Sequence, residues 1–318
     1  MSMEFHTRVP VDPELNDPVA RFERKMGEPW ADIGELRRRY AALLSEQGSP
    51  ANPVPTRDLK IPTRHGEISA RLYLPKHEGR LPLLVYMHGG GFMVGDLESL
   101  DVPLHQLSRD ARIAILSLDY ALAPENRYPL ALEQCEDALT WAATHAKDLG
   151  APGRLGVAGD SAGGNFTALL AMRARDAGGP TLSWQAMINP GLDMPGVADR
   201  ATTSARLYGD GPIVTIDMLK LFMAAYFPSE AATIESSPLL ASNLRNLPPA
   251  FIAGGQCDPL RDDGVAYAAR LAAAGVPVES HVYPGMPHNF MTMTHVSRTA
   301  RGFLADLAVA AHEALHAS

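Results

Sequence analysis

The stretch 155–165, LGVAGDSAGGN, restricts this chain more than any other, because it sets a single serine, Ser161, between Gly159 and Gly163. A mostly apolar run at 154–158 precedes it, and a helix-favouring run at 165–174 (NFTALLAMRA) follows. Strand, tight turn and helix in that order is the setting in which a serine hydroxyl is presented on a strained turn as a nucleophile. Neighbouring chain passes so close to such a turn that the positions two before and two after the serine tolerate almost no side chain, and glycine stands at both. The five-residue pattern on its own also describes an ordinary surface turn, so its surroundings have to decide.

Those surroundings repeat the alternation. Runs at 57–61, 68–74, 83–88 and 113–118 read as strands, the last two nearly continuous in apolar residues, as expected for strands covered on both faces. Helical runs at 100–110, 130–149, 165–177 and 264–274 and further strands at 185–188, 250–254 and 279–283 predict an α/β fold with a mostly parallel sheet flanked by helices. Residues 1–55 stand apart. They begin polar and proline-rich, then carry a helix in which Trp30, Ile33, Leu36, Tyr40, Leu43 and Leu44 recur at three- and four-residue spacing. Between Asn189 and Leu247 the alternation fails, leaving a loop and a helix-like run at 217–227. An insertion of that kind after a strand is where an α/β enzyme builds a lid.

Composition removes several classes of function. The chain has 318 residues, 46% hydrophobic and 20% charged, enough for a large core, and we read one domain. With a formal net charge of −8 and its 28 basic residues in no long run, neither nucleic acid nor an anionic membrane surface is expected as a partner. No stretch has the length and apolarity of a signal peptide or a membrane span, so no stable membrane insertion and a cytoplasmic location are expected. The two cysteines, Cys135 and Cys257, form neither a disulfide framework nor a metal cluster and read as small buried hydrophobes.

Directly after the run 83–87 comes His88-Gly89-Gly90-Gly91-Phe92. Consecutive glycines mark backbone that must approach something closely, or else a flexible hinge. A His-Gly-Gly-Gly stretch so placed in α/β hydrolases supplies oxyanion amides, joined by the amide of the residue after the nucleophile, here Ala162. The base must then be a histidine held by a carboxylate, in the chain order Ser, Asp or Glu, His. Of the eleven histidines, His288 lies on a Gly/Pro-rich loop after the last strand, whereas His281 lies within that strand and His295 in a helix-like tail. Asp258 follows the apolar run at 250–253 and is the expected acid, with helix N-capping as its alternative role because proline follows it. Asp193, Asp262 and Asp263 are less well placed.

With these residues in hand, the chain resembles the hormone-sensitive lipase-like, or bacterial family IV, carboxylesterases of the α/β-hydrolase superfamily. The resemblance rests on His88-Gly89-Gly90-Gly91, the run 119–125 (DYALAPE), Gly159-Asp160-Ser161-Ala162-Gly163-Gly164, the run 258–262 (DPLRD) and His288-Asn289-Phe290. One departure is Asn289, where many relatives carry glycine. The resemblance implies residues 1–55 as the N-terminal part of a cap, 56–188 and 248–318 as the two parts of the hydrolase core, and 189–247 as the cap insertion. It implies hydrolysis of short- to medium-chain acyl esters, a small-molecule substrate and no cofactor or metal. The implied catalytic residues are Ser161, Asp258 and His288, with an oxyanion hole of Gly90, Gly91 and Ala162. His88, Gly89 and Asp160 would support the site, and the run 119–125 would buttress it. Phe92, Leu207, Phe222, Met223 and Phe227 are expected to line the substrate pocket. An amidase or formamidase on the same triad, and a non-catalytic ligand-binding protein of this fold, are the alternatives; a homodimer is one option for its assembly.

Overall fold

The apolar run Leu83–Met87 forms the middle of a sheet with all of its residues buried, in a computed structural model that describes residues 7–228 and 233–317. Residues 1–6 of the expected N-terminal part, 229–232 of the expected insertion and residue 318 lie outside the described residues.

Along the chain, α1 (Asn16–Gly27) and α2 (Ile33–Leu44) precede β1 (Thr56–Thr63), β2 (Gly66–Tyr73) and β3 (Leu83–Met87). There follow α3 (Asp101–Ala111), β4 (Ala114–Asp119), α4 (Leu130–His145), β5 (Leu155–Asp160), α5 (Ala162–Asp176) and β6 (Trp184–Ile188). Between β6 and β7 (Ala250–Cys257) lie α6 (Met194–Ala198), α7 (Thr203–Tyr208) and α8 (Ile216–Tyr226); α9 (Arg261–Ala273), β8 (Val278–Pro287) and α10 (Arg298–His316) complete the series.

The eight strands form one sheet in the order β1-β2-β4-β3-β5-β6-β7-β8. β2 runs antiparallel to both of its neighbours and the remaining pairs are parallel. α3 and α10 pack together on one face, while α4, α5 and α9 lie on the other. This double cover explains why β3, β5 and β6 are buried along their whole length. Two register pairs gather distant parts of the chain at one edge of the sheet. Met87 sits beside Gly159, so the chain leaving β3 runs past the end of β5; Cys257 sits beside Pro287, so residues 258 and 288 emerge side by side.

The N-terminal segment differs from its sequence reading. α1 is an additional helix, missed because it buries only Val19 and Phe22. α2 starts at Ile33, where Asp32 accepts a hydrogen bond from the Glu35 amide, so Trp30 precedes the helix and stays 36% exposed instead of joining the apolar stripe. Among the described residues, no helix is long and apolar enough to cross a membrane.

Candidate active site

Ser161 stands where β5 turns into α5, with φ 52° and ψ −114°. A non-glycine residue in that region costs on the order of 1–3 kcal/mol and persists only where its surroundings enforce it. Here the Ser161 amide donates to the Ile188 carbonyl (2.8 Å) and the Ser161 carbonyl accepts from the Asn165 amide (3.1 Å). The glycine at 163 is obligatory, since a Cβ there would run into the Met87 carbonyl; one at 159 would strike the backbone of Gly163. The helix begins at Ala162, immediately after the serine and three residues before the helix-favouring run of the sequence.

His288 follows β8 and reaches the serine hydroxyl: Nε2 lies 2.9 Å from Ser161 Oγ, and Nδ1 lies 2.8 Å from Asp258 Oδ2. Asp258 is fully buried, and its carboxylate is divided between tasks. Oδ1 accepts from the Leu260 amide (2.8 Å), which is the turn-stabilising role that its neighbouring proline suggests, while Oδ2 accepts from His288 and from Asn189 Nδ2. A carboxylate held from several sides fixes the imidazole tautomer with its proton on Nδ1 and leaves Nε2 facing the serine. Burial pushes the His288 pKa down, but the charge and hydrogen bond of Asp258, together with the charge of Asp160, outweigh it and leave the group above the ordinary histidine value. The rival acids serve elsewhere: Asp262 pairs with Arg261 and caps Ser204, Asp193 accepts from Ser237 Oγ, and Asp263 accepts from the amides of Leu192 and Asp193. His281 pairs with Glu279, and His295 is exposed.

The chain leaving β3 curls over the serine. Gly90 and Gly91 have φ of 116° and 59°, and a Cβ on Gly90 would meet the Val94 carbonyl. The amides of Met93 and Val94 both donate to the Gly90 carbonyl (3.0 Å each), closing a turn. Among the described residues, the amides of Gly90 and Gly91 donate to no other backbone group. Ala162 opens α5, where first-turn amides have no acceptor within the helix. His88 stacks on Tyr120 at 4.4 Å and donates from Nδ1 to the Gly89 carbonyl (2.7 Å), while Tyr120 donates to the His88 carbonyl (2.6 Å). Asp160 is buried, which pushes its pKa up, and its Oδ1 accepts from the Gly89 amide (2.9 Å) and the Tyr86 hydroxyl (3.2 Å). His88, Gly89 and Asp160 therefore shape the loop from beneath.

A narrow apolar cavity of about 50 Å³ opens beside Ser161 and His288. Its walls include Phe92 and Phe222, together with Tyr40 from α2, Met194 from α6, Ile213 and Val214 from the loop before α8, and Met218 and Leu219 from α8. The Phe222 ring lies against Gly91, where an added Cβ would collide with it. Leu207 and Met223 are corrections: neither lines this cavity. Met223 is one position on from Phe222, which turns it about a quarter of a helical circuit away, onto the face that lines a surface hollow with Pro195 and Lys220. Leu207 is half-buried on α7, a helix that packs against α9 rather than over the serine. Phe227 packs edge-on against Phe92 at 5.6 Å, one layer behind the wall. Both cysteines are buried, and burial pushes both thiols up.

Sequence reasoning missed Asn189, the Asp258 partner, although it is the first residue after the apolar strand β6 and so stands at the same sheet edge as the other site residues. It also missed Arg37, whose side chain reaches the loop after β3 from α2.

A sheet of this order with a serine elbow at its carboxyl edge defines an α/β hydrolase. A family model described as the alpha/beta hydrolase fold matches residues 84–292. The chain is 41% identical over 271 residues to a carboxylic ester hydrolase, LipN, of Mycobacterium tuberculosis, covering 82% of this chain and 71% of that protein. It is 36% identical over 282 residues to an ethyl acetate hydrolase of Pseudomonas putida, covering 85% and 86%. It also superposes on a solved hyperthermophilic esterase from the archaeon Pyrobaculum calidifontis with a TM-score of 0.88 at 33% identity, over 96% of this chain and 99% of that one. The chain belongs to the hormone-sensitive lipase-like group of the α/β-hydrolase family.

Proposed function

We propose that this protein is a serine carboxylesterase that hydrolyses short- to medium-chain acyl esters through an acyl-enzyme intermediate. The observation that carries the reading is the pair of hydrogen bonds joining His288 to Ser161 (2.9 Å) and to Asp258 (2.8 Å) at the edge of the sheet. His288 Nε2 takes the Ser161 proton as Oγ attacks the ester carbonyl carbon. The resulting oxyanion is held by the amides of Gly90, Gly91 and Ala162, donors that are fixed before the charge develops. Collapse breaks the bond to the alkoxy oxygen, which leaves with the proton from His288. Water then repeats the sequence on the acyl-enzyme, releasing the acid and restoring the serine hydroxyl. The described residues of 1–55 and of 189–247 act as a cap, since both segments contribute walls to the cavity over the serine, and the narrowness of that cavity favours short acyl groups. The names of the relatives, a carboxylic ester hydrolase and an ethyl acetate hydrolase, support ester over amide as the substrate class.

Ser161→Ala tests the reading. Turnover of p-nitrophenyl butyrate should fall to background while the circular dichroism spectrum and melting temperature stay those of a folded protein. A Ser161→Ala variant that kept most of its activity would refute the assignment.

A further inference from the structure

We propose, resting on the serine-esterase reading, that Arg37 is a positioning residue for the oxyanion loop, so that the N-terminal helix α2 holds part of the catalytic machinery in place as well as roofing the cavity. The guanidinium is used along all its edges. Nε donates to the Met93 carbonyl (2.9 Å), Nη2 to the Ala123 carbonyl (2.9 Å), and Nη1 and Nη2 grip Glu125 bidentately at 2.9 and 2.7 Å. Met93 belongs to the turn whose amides close on the Gly90 carbonyl, so its carbonyl is one peptide turn from the proposed oxyanion donors. Ala123 is tied to the same loop through its own amide, which donates to the Phe92 carbonyl (2.8 Å). Arg37 thus joins two carbonyls, one in the loop and one in the run 119–125, into a closed set with the Ala123–Phe92 bond.

The geometry separates this role from a surface ion pair. The Arg37 and Glu125 side chains are 29% and 50% exposed, and a pair in that setting contributes little by itself. The bonds to the two carbonyls are part-buried and directional, and only a planar, forked donor can make them together. The same helix reaches the other half of the site three residues later: Tyr40 lines the cavity, and its hydroxyl lies 3.5 Å from Asn289 Nδ2, next to His288. Gly90 and Gly91 have backbone freedom that other residues lack, so a loop built on them needs an external hold if its amides are to stay aimed.

The test compares wild type, Arg37→Met, Arg37→Lys and Glu125→Gln by kcat and KM for p-nitrophenyl butyrate, by the rate at which a fluorophosphonate labels Ser161, and by melting temperature. Misaimed donors slow the chemical step more than binding, so Arg37→Met should lower kcat about tenfold or more while KM changes less than about threefold. Labelling should slow in parallel, because the phosphonyl oxygen occupies the oxyanion position. Glu125→Gln, which leaves both carbonyl bonds in place, should keep kcat within about twofold of wild type. Arg37→Lys keeps the charge but cannot fork, so it should fall between them; it also carries the comparison should Arg37→Met fail to fold. The proposal is overturned if the Arg37 variants retain wild-type kcat and labelling rate at temperatures where they are folded, or if Glu125→Gln loses as much as Arg37→Met. Wild-type protein that neither hydrolyses the ester nor labels at Ser161 would instead overturn the serine-esterase reading on which the proposal stands.

Discussion

His288 carries two opposed pressures, and their balance has a pH signature. Burial favours the neutral imidazole, while the Asp258 carboxylate favours the cation and prevails. In the proposed mechanism His288 is the general base and must be neutral to act, so the rising limb of kcat/KM should be centred above the ordinary histidine value of 6.5. The linked effect on stability has the opposite sense. A histidine raised in the folded state stabilises fully below its unfolded pKa and loses that contribution as pH climbs through the folded one. Activity therefore appears over the same interval in which this part of the stability is given up. Asp258→Asn removes the larger opposing charge and leaves only that of Asp160 against burial. Its limb should move to lower pH, and kcat should fall by about 10³–10⁴-fold, as loss of a tautomer-fixing carboxylate typically does. A limb that stays in place in Asp258→Asn would mean that another group sets it. Asn289, beside this histidine, is the one departure from the resemblance, and the backbone explains it: φ is 59°, a conformation that asparagine tolerates better than other residues with a side chain.

Among the elements, α8 and the loop before it supply much of the cavity wall beside Ser161. Phe222 packs on Gly91 and walls the cavity together with Leu219 and Met218. Phe222→Ala should shift the acyl-length optimum from butyrate toward octanoate in a series of p-nitrophenyl esters. It should also cost about 3–5 kcal/mol of stability if the space does not collapse. An unchanged chain-length profile in a folded variant would remove Phe222 from acyl selection. The elements also differ in how much of them the sequence disclosed. β3 and β4 were legible because strands covered on both faces need apolar residues throughout, and the Ser161 turn because its glycines admit no substitute. α1 was not, since two buried side chains in twelve residues leave no period to read, and α6 and α7 are too short to establish one. The pocket expectation failed at Met223 for a related reason: an apolar helix shows that it has an inner face, and only packing decides which residues are on it. Asn189 and Arg37 act through side-chain hydrogen bonds to groups far along the chain, and such pairings leave no local pattern.

For the whole molecule, the fastening between α9 and the chain leaving β6 should govern how stability responds to alkali. Asp263 is buried in the first turn of α9, and its Oδ2 accepts from the amides of Leu192 and Asp193, in the same connection that carries Asn189 and Gly191 into the site. Desolvation raises its pKa to about 8, against the pull of those two amides and with some help from the charges of Asp193 and Asp258. A carboxyl raised in this way favours the folded state while it is protonated. Its contribution is complete below the unfolded value of about 3.9 and is lost as pH rises to the folded one. Asp160, also raised by burial, and His288 have the same sign, whereas the carboxylates lowered by arginine partners, Asp58 and Glu125 among them, change their contribution only in more acidic solution. Between about pH 5 and pH 9 Asp263, Asp160 and His288 therefore act together, against the lowered histidines His105 and His316, and the urea midpoint of the wild type should decline. Asp263→Asn keeps an oxygen for the two amides and removes the ionisation, so its midpoint should decline less steeply over the same range. Parallel curves for the two proteins, or a wild type that gains stability toward pH 9, would show that Asp263 does not carry this dependence.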